Sequence, residues 1–313
     1  MLKRFLFTSL LINLFFCSYT QAQKKDSLHY QLLKIYSQVD SLFNSTDSSV
    51  VDLIDTFLQP NKIKDTSRLM IRLGYNSNIS AMNQSLGIKQ YGLSPGLAYY
   101  HKSGLYADVS SYWSKQFSPS LYLTIFSAGF MKAVSPTYLL NAEYSYYLYP
   151  NNGQDVSASY TNSISITNQL TLKPIALKLD YYYYFGAQSA HRILPGISFT
   201  IEKKNWGKIH RLLFYPTFSI LFGTESTVQY IPVSNQVALD RLKNGGSLYD
   251  IKTITIFGLM NYSFTLPVSA RTTHWNFQLS YTYNIPRSLP DEELGLGNTS
   301  YVSLGVARYI KLK

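Results

Sequence analysis

Cysteine is the first thing this chain lacks. The single one, Cys17, lies within the first two dozen residues, so the remainder carries no disulfide framework and no thiolate metal site. Long apolar runs are the second absence. Beyond those first residues no stretch of 18 or more apolar residues occurs, which excludes a membrane protein built from spanning helices. Charge is scarce as well, at 14% of residues. No metal-ligand spacing, phosphate-binding glycine loop or nucleotide fingerprint appears, so no cofactor is expected.

Aromatic side chains are abundant. They make up 15% of the 313 residues, and 28 of them are tyrosines. That load suits strands and interfacial belts better than helices. Overall hydropathy is near zero. In a barrel this is no contradiction, because alternating apolar and polar positions average away in any window.

The N-terminus reads as a secretory signal. Lys3 and Arg4 precede the apolar core Phe5–Phe16, and Thr20-Gln21-Ala22 offers small residues for cleavage after Ala22. The core is too short for an anchoring helix. Bulky Phe15 and Phe16 stand before Cys17 where a lipoprotein signal needs small residues. Residues 23–67 then form a periplasmic helical segment or plug. Leu28, Leu32, Ile35, Val39 and Leu42 recur at helical spacing, and a second short helix from Ser48 or Ser49 stops at Pro60.

From residue 68 to residue 313 the period changes to two. The clearest strand is Thr272–Ile285. Trp275, Phe277, Leu279, Tyr281, Tyr283 and Ile285 alternate with His274, Asn276, Gln278, Ser280, Thr282 and Asn284. Such a strand, with one face to lipid and one to a lumen, has the length a membrane barrel needs. Eleven further stretches repeat the pattern. The sixth is read near Asp155–Ile166, with a turn at Thr167–Gln169. The seventh runs from Leu170 to Phe185, with a bulge at Pro174. The tenth holds Ile254–Phe264, before a turn at Pro267–Arg271. Pro95, Pro195 and Pro216 are expected at bulges or strand ends. The fold class is thus all-β: an antiparallel transmembrane barrel of about twelve strands with a short N-terminal helical segment. A soluble sandwich is the rival, but it explains neither the signal peptide nor the aromatics at one set of strand ends.

The connections sort by length. Those after even strands are short, whereas Ser77–Lys89, Gly223–Lys252 and Pro286–Gly297 follow odd strands. Short periplasmic turns and long outer loops give an orientation. An interfacial girdle of Trp113, Tyr146, Tyr181, Tyr183, Tyr281 and Tyr283 agrees with it. The lumen-facing candidates are Arg72, Asp108, Glu143, Lys178, Asp180 and Glu202, together with His274, Asn276 and Gln278. Mixed signs predict internal ion pairs, because an unpaired charge is costly at low dielectric. Asn76 and Asn141 share that face.

The chain resembles the uncharacterised outer-membrane barrels common in Bacteroidota, through its signal peptide, leader helices and Tyr-rich strands. It departs from their usual C-terminal aromatic, ending at Lys313 with Tyr309 four positions earlier. The resemblance implies the outer membrane as location, with outer-membrane lipids, lipopolysaccharide and the insertion machinery as partners, and no nucleic acid. Enzymes of such membranes pair His with Ser, or clustered Asp with His. Among the five histidines only His101-Lys102-Ser103-Gly104 approaches the first pattern, and it reads as a turn. The functional expectation is passive or gated passage of a small solute, or a structural role. The alternative is a binding or assembly component acting through the 223–252 loop or the leader helices.

Overall fold

The computed structural model describes residues 66–77, 80–81, 84–85, 92–115, 119–150, 160–232, 249–289 and 297–312. The signal peptide and almost all of the leader segment lie outside them.

Sixteen strands follow in order. They are β1 (Arg68–Asn76), β2 (Ser80–Ala81), β3 (Gln84–Ser85), β4 (Gly92–Tyr100), β5 (Leu105–Trp113), β6 (Leu121–Ala133), β7 (Tyr138–Leu148) and β8 (Asn162–Leu172). Then come β9 (Ile175–Phe185), β10 (Ser189–Phe199), β11 (Ile201–Trp206), β12 (Ile209–Phe214), β13 (Thr217–Pro232), β14 (Tyr249–Arg271), β15 (Trp275–Pro286) and β16 (Thr299–Lys311). Strands β2 and β3 form a small separate hairpin.

The other strands make one antiparallel sheet that closes on itself. Around the ring run β1, β4, β5, β6, β7, β8, β9, β10, β13, β14, β15 and β16, which pairs back to β1. This is a closed barrel of twelve strands. Closure leaves no free ladder edge within the ring. Strands β11 and β12 prolong β10 and β13 below it as a hairpin, with β12 held on β14.

Alternation decides which way each side chain points. Leu73, Phe264 and Leu279 stand on the outer rows with about half their surface free. Arg72, Ser263 and Ser280 stand on the inner rows. Apolar side chains exposed on every strand of the ring but β13, whose Phe218 and Ile220 are half-buried, form an outer band far beyond the scattered patches of a soluble monomer. With most strands nine to thirteen residues long, that band matches a bilayer core.

Several sequence expectations shift. The sixth strand spans Asn162–Leu172 and so continues through Thr167–Gln169, while its expected start at Asp155 lies outside the described residues. Lys173-Pro174 is the turn of the β8–β9 hairpin rather than a bulge within one strand. The side-chain phase changes there because the chain reverses. Strand β14 runs through Pro267 to Arg271. Proline costs no ladder bond at that point, because it faces the break between β12 and β13, where Pro216 lies. The turn is therefore Thr272–His274, closed by the Thr272 N–H donating to the Trp275 carbonyl at 2.8 Å. His274, expected on the lumen face, is exposed in that turn. Of the 223–252 loop, residues 223–232 and 249–252 are strand, and residues 233–248 lie outside the described residues. Its flanks, rich in β-branched and aromatic residues, pair from Thr224–Phe257 to Pro232–Tyr249. Pro95 and Pro195 lie inside strands, each where pairing to one neighbour is interrupted.

The turns themselves are short. At Gly104, with φ of 94°, a Cβ would stand 2.4 Å from the Met131 carbonyl oxygen, so only glycine lets the β4–β5 turn close against β6.

Candidate functional site in the barrel lumen

The inner rows enclose a cavity of about 230 Å³. Its polar wall comes from facing strands. Strands β1 and β5 contribute Arg72, Asp108 and Ser110, β7 contributes Glu143 and Ser145, and β15 contributes Asn276 and Gln278. Hydroxyls fill much of the rest, including Ser163, Ser165, Ser280 and Ser303.

The charges in this wall are matched. The Arg72 guanidinium grips Asp108 through two bonds of 2.6 and 2.8 Å and also donates to the Ser110 hydroxyl. Fork-on-fork geometry of this kind holds both groups in place. Glu143 accepts from the Tyr106 hydroxyl at 2.6 Å and from Ser145 at 3.0 Å. Asn141, beside it on the inner row, accepts a second contact from Tyr106 at 3.1 Å. Lys178 stands 2.9 Å from Asp180. That contact meets the distance of an ion pair but not the angle of a hydrogen bond, and both Asp180 oxygens stay without a hydrogen-bond partner. At that depth the attraction is Coulombic, and the short separation carries it. Arg192, fully buried, donates to the carbonyls of His191 and Thr224. Among the described residues, three cations and three carboxylates therefore share this polar section, and Arg68 and Arg271 stand on inner rows at the short-turn mouth.

Two apolar clusters flank the polar section. On the loop side Leu123, Ile125, Tyr147, Tyr184, Leu221 and Met260 pack together, joined by Tyr160 and Leu289 from the connections before β8 and after β15. On the short-turn side Met70, Tyr100, Tyr106, Met131, Leu139 and Ala307 form the second. Rings meet inside both. Tyr182 stacks on Tyr184 at 6.0 Å, and Tyr100 tilts against Tyr106 at 5.6 Å.

Two bulges feed the loop-side cluster. Between β13 and β14 the register moves from Leu221–Asn261 to Phe222–Leu259, which skips Met260 and turns its side chain inward, while its carbonyl accepts from the Arg287 N–H at 2.8 Å. Between β5 and β6 it moves from Tyr112–Leu123 to Trp113–Leu121, which frees Tyr122 to pack on the same cluster. A bulge inserts one residue and re-aims the side chains around it. The β5–β6 bulge has no proline or glycine beside it, whereas the pair Gly223–Gly258 directly follows the β13–β14 bulge; alternation alone does not reveal the inward turn of Met260 or Tyr122.

The remaining sequence candidates fall elsewhere. Asn76 lines the loop side of the cavity, whereas Glu202 sits in the β11–β12 hairpin, 2.7 Å from the Arg211 guanidinium. His274 takes no part. Trp113, Tyr146, Tyr181, Tyr183, Tyr281 and Tyr283 lie on outer rows in the loop-side halves of β5, β7, β9 and β15. His191 shares that surface, with its ring 4.8 Å from Tyr183 and its Nδ1 2.8 Å from the Tyr181 hydroxyl. His101 Nδ1 and the Ser103 hydroxyl are 2.8 Å apart in the exposed β4–β5 turn, and the Ser103 N–H also donates to that nitrogen. The contact closes the turn locally.

No family model matches the chain, and no curated protein matches it significantly. Similar solved structures include the KdgM porin, at 8% identity and a TM-score of 0.44 over 76% of this chain and 98% of that one. The NanC porin is similar at 11% identity and a TM-score of 0.40, over 78% and 100%. LpxR from Salmonella typhimurium gives 8% and 0.40, over 77% and 99%.

Proposed function

We propose that the protein is an outer-membrane barrel that passes small, neutral, polar solutes through a narrow, gated lumen. The short turns face the periplasm and the long connections face outward. The observation that carries this reading is the charge-balanced polar cavity between two apolar clusters inside a closed barrel. A cavity of about 230 Å³ is smaller than the roughly 300–1,000 Å³ of drug-sized sites, which sets the solute class as small. Matched charges create no strong field of one sign, so an ion gains little on entering, while the hydroxyl-rich wall replaces the hydration of a neutral polar solute. The apolar clusters narrow the path at both ends, and the loop-side one includes Tyr160 and Leu289 from connections that can move without breaking the barrel.

Planar-bilayer recording tests the narrowness. The intact protein should show small conductance steps, and Tyr184→Ala should enlarge them several-fold. Large, steady steps in the intact protein would rule out a lumen narrowed by these clusters.

A second reading is binding at the outer surface. Strands β13 and β14, 16 and 23 residues long, reach well beyond their neighbours as a hairpin on the loop side. A partner that co-purifies with the intact chain and is lost when the hairpin is shortened, in a barrel that passes no solute, would favour it.

A further inference from the structure

The basic surplus of this chain is not spread over its surface. The formal net charge is +11. The polar section of the lumen is balanced, and the connections at the loop end hold five acids and five bases. The short-turn end differs. Lys102, Lys132, Lys173, Lys203, Lys204 and Lys208 lie in or beside its turns. Arg68, Arg211, Arg271, Arg308 and Lys311 add to them. Outside the lumen, the one acid at this end among the described residues is Glu202, already shared by Arg211, Lys173 and Lys204.

Three of these cations occupy outward rows, each at the end of an apolar row. On β6, Phe126 and Phe130 lead to Lys132. On β16, Val302, Leu304 and Val306 lead to Arg308. From β10 into β11, Phe199 and Ile201 lead to Lys203. Exposed tryptophans mark the same level. The Arg308 guanidinium lies 5.3 Å from the Trp275 ring centre, and Lys203 Nζ lies 5.2 Å from that of Trp206. Indole rings settle at the membrane–water interface, so cations held over them stand at the depth of lipid phosphates.

We propose that this rim binds the phosphates of anionic phospholipids in the leaflet that borders the short turns. The proposal rests on the barrel's orientation given above but not on its solute. A protein partner beneath the mouth would leave outward-facing Lys132, Lys203 and Arg308 without a role, whereas a ring of lipid headgroups meets each of them. Clustered cations at a membrane surface bind anionic lipid additively and lose it to salt.

Native mass spectrometry of the purified full chain tests this, with phosphatidylglycerol and phosphatidylcholine of equal chain length, and lipid A, each added separately. The triple substitution Lys132→Gln, Lys203→Gln and Arg308→Gln should weaken phosphatidylglycerol binding roughly tenfold or more. Phosphatidylcholine binding should not change. The conservative set Lys132→Arg, Lys203→Arg and Arg308→Lys should keep the intact behaviour. Lys115→Gln with Arg287→Gln, at the other end, should have no effect. Heat-modifiable mobility on gels reports whether each variant is folded. Unchanged phosphatidylglycerol binding in the folded triple variant would overturn the proposal. So would loss of lipid A binding with phosphatidylglycerol retained, which would assign the rim to lipopolysaccharide. Anionic lipid binding in a barrel that passes no solute would leave this proposal standing and remove the transport reading instead.

Discussion

At the scale of single residues, the polar section of the lumen obeys the rule for charges at low dielectric: Arg72, Asp108, Glu143, Lys178, Asp180 and Arg192 each have a partner. Arg72 and Asp108 show the consequence best. Asp108→Ala removes both carboxylate bonds of the guanidinium, and the cost should be about 2–3 kcal/mol, towards the low side for a buried pair because the pair is partly exposed. Urea unfolding in lipid vesicles measures it. The double change Arg72→Met with Asp108→Leu should recover most of that loss, because both charges then leave together. Gly129 gives a steric counterpart. A Cβ there would lie 2.6 Å from the Tyr106 hydroxyl and 2.7 Å from the Ala142 carbonyl oxygen. Gly129→Val should therefore push Tyr106 off Glu143 and lower stability. Wild-type stability in that variant would show that the hydrogen bond is not held by this packing.

At the scale of elements, a period of two was enough to find the strands and to give a face to Arg72, Asp108, Glu143 and Asn276. It was not enough where the chain reverses on two residues. Lys173-Pro174 makes so tight a turn that Leu170, Leu172, Ile175 and Leu177 read as one strand with a slip. The same local reading stopped the tenth strand at Pro267, because the break at Pro216 that accommodates it lies about fifty residues away. His274 was assigned to the lumen through that error. Alternation did not show the bulges either, since their cause is the mismatch in register between two strands. Met260 supplies the element-scale prediction. The register slip turns its side chain into the loop-side cluster, so Met260→Ala should cost about 2–4 kcal/mol by opening a cavity. A change within about 0.5 kcal/mol, the range of ordinary surface substitutions, would mean that the site is not packed.

At the scale of the whole molecule, the barrel narrows its own lumen. The clusters are built from side chains of β1, β4–β7, β9, β10, β13, β14 and β16, with two residues from connections. Deleting residues 23–65 should therefore change conductance little, even though the leader segment was read from its amphipathic pattern as a possible plug. A several-fold rise on deletion would give the leader the blocking role. The most direct measurement is osmotic swelling of proteoliposomes containing the intact chain or Tyr184→Ala. The external solute would be a small neutral polyol or a charged solute of the same size. Slow entry of the polyol, quickened several-fold by Tyr184→Ala and always ahead of the charged solute, is the result expected of a charge-balanced, cluster-gated lumen. No entry through either protein, or equal entry of both solutes through the intact one, would contradict it.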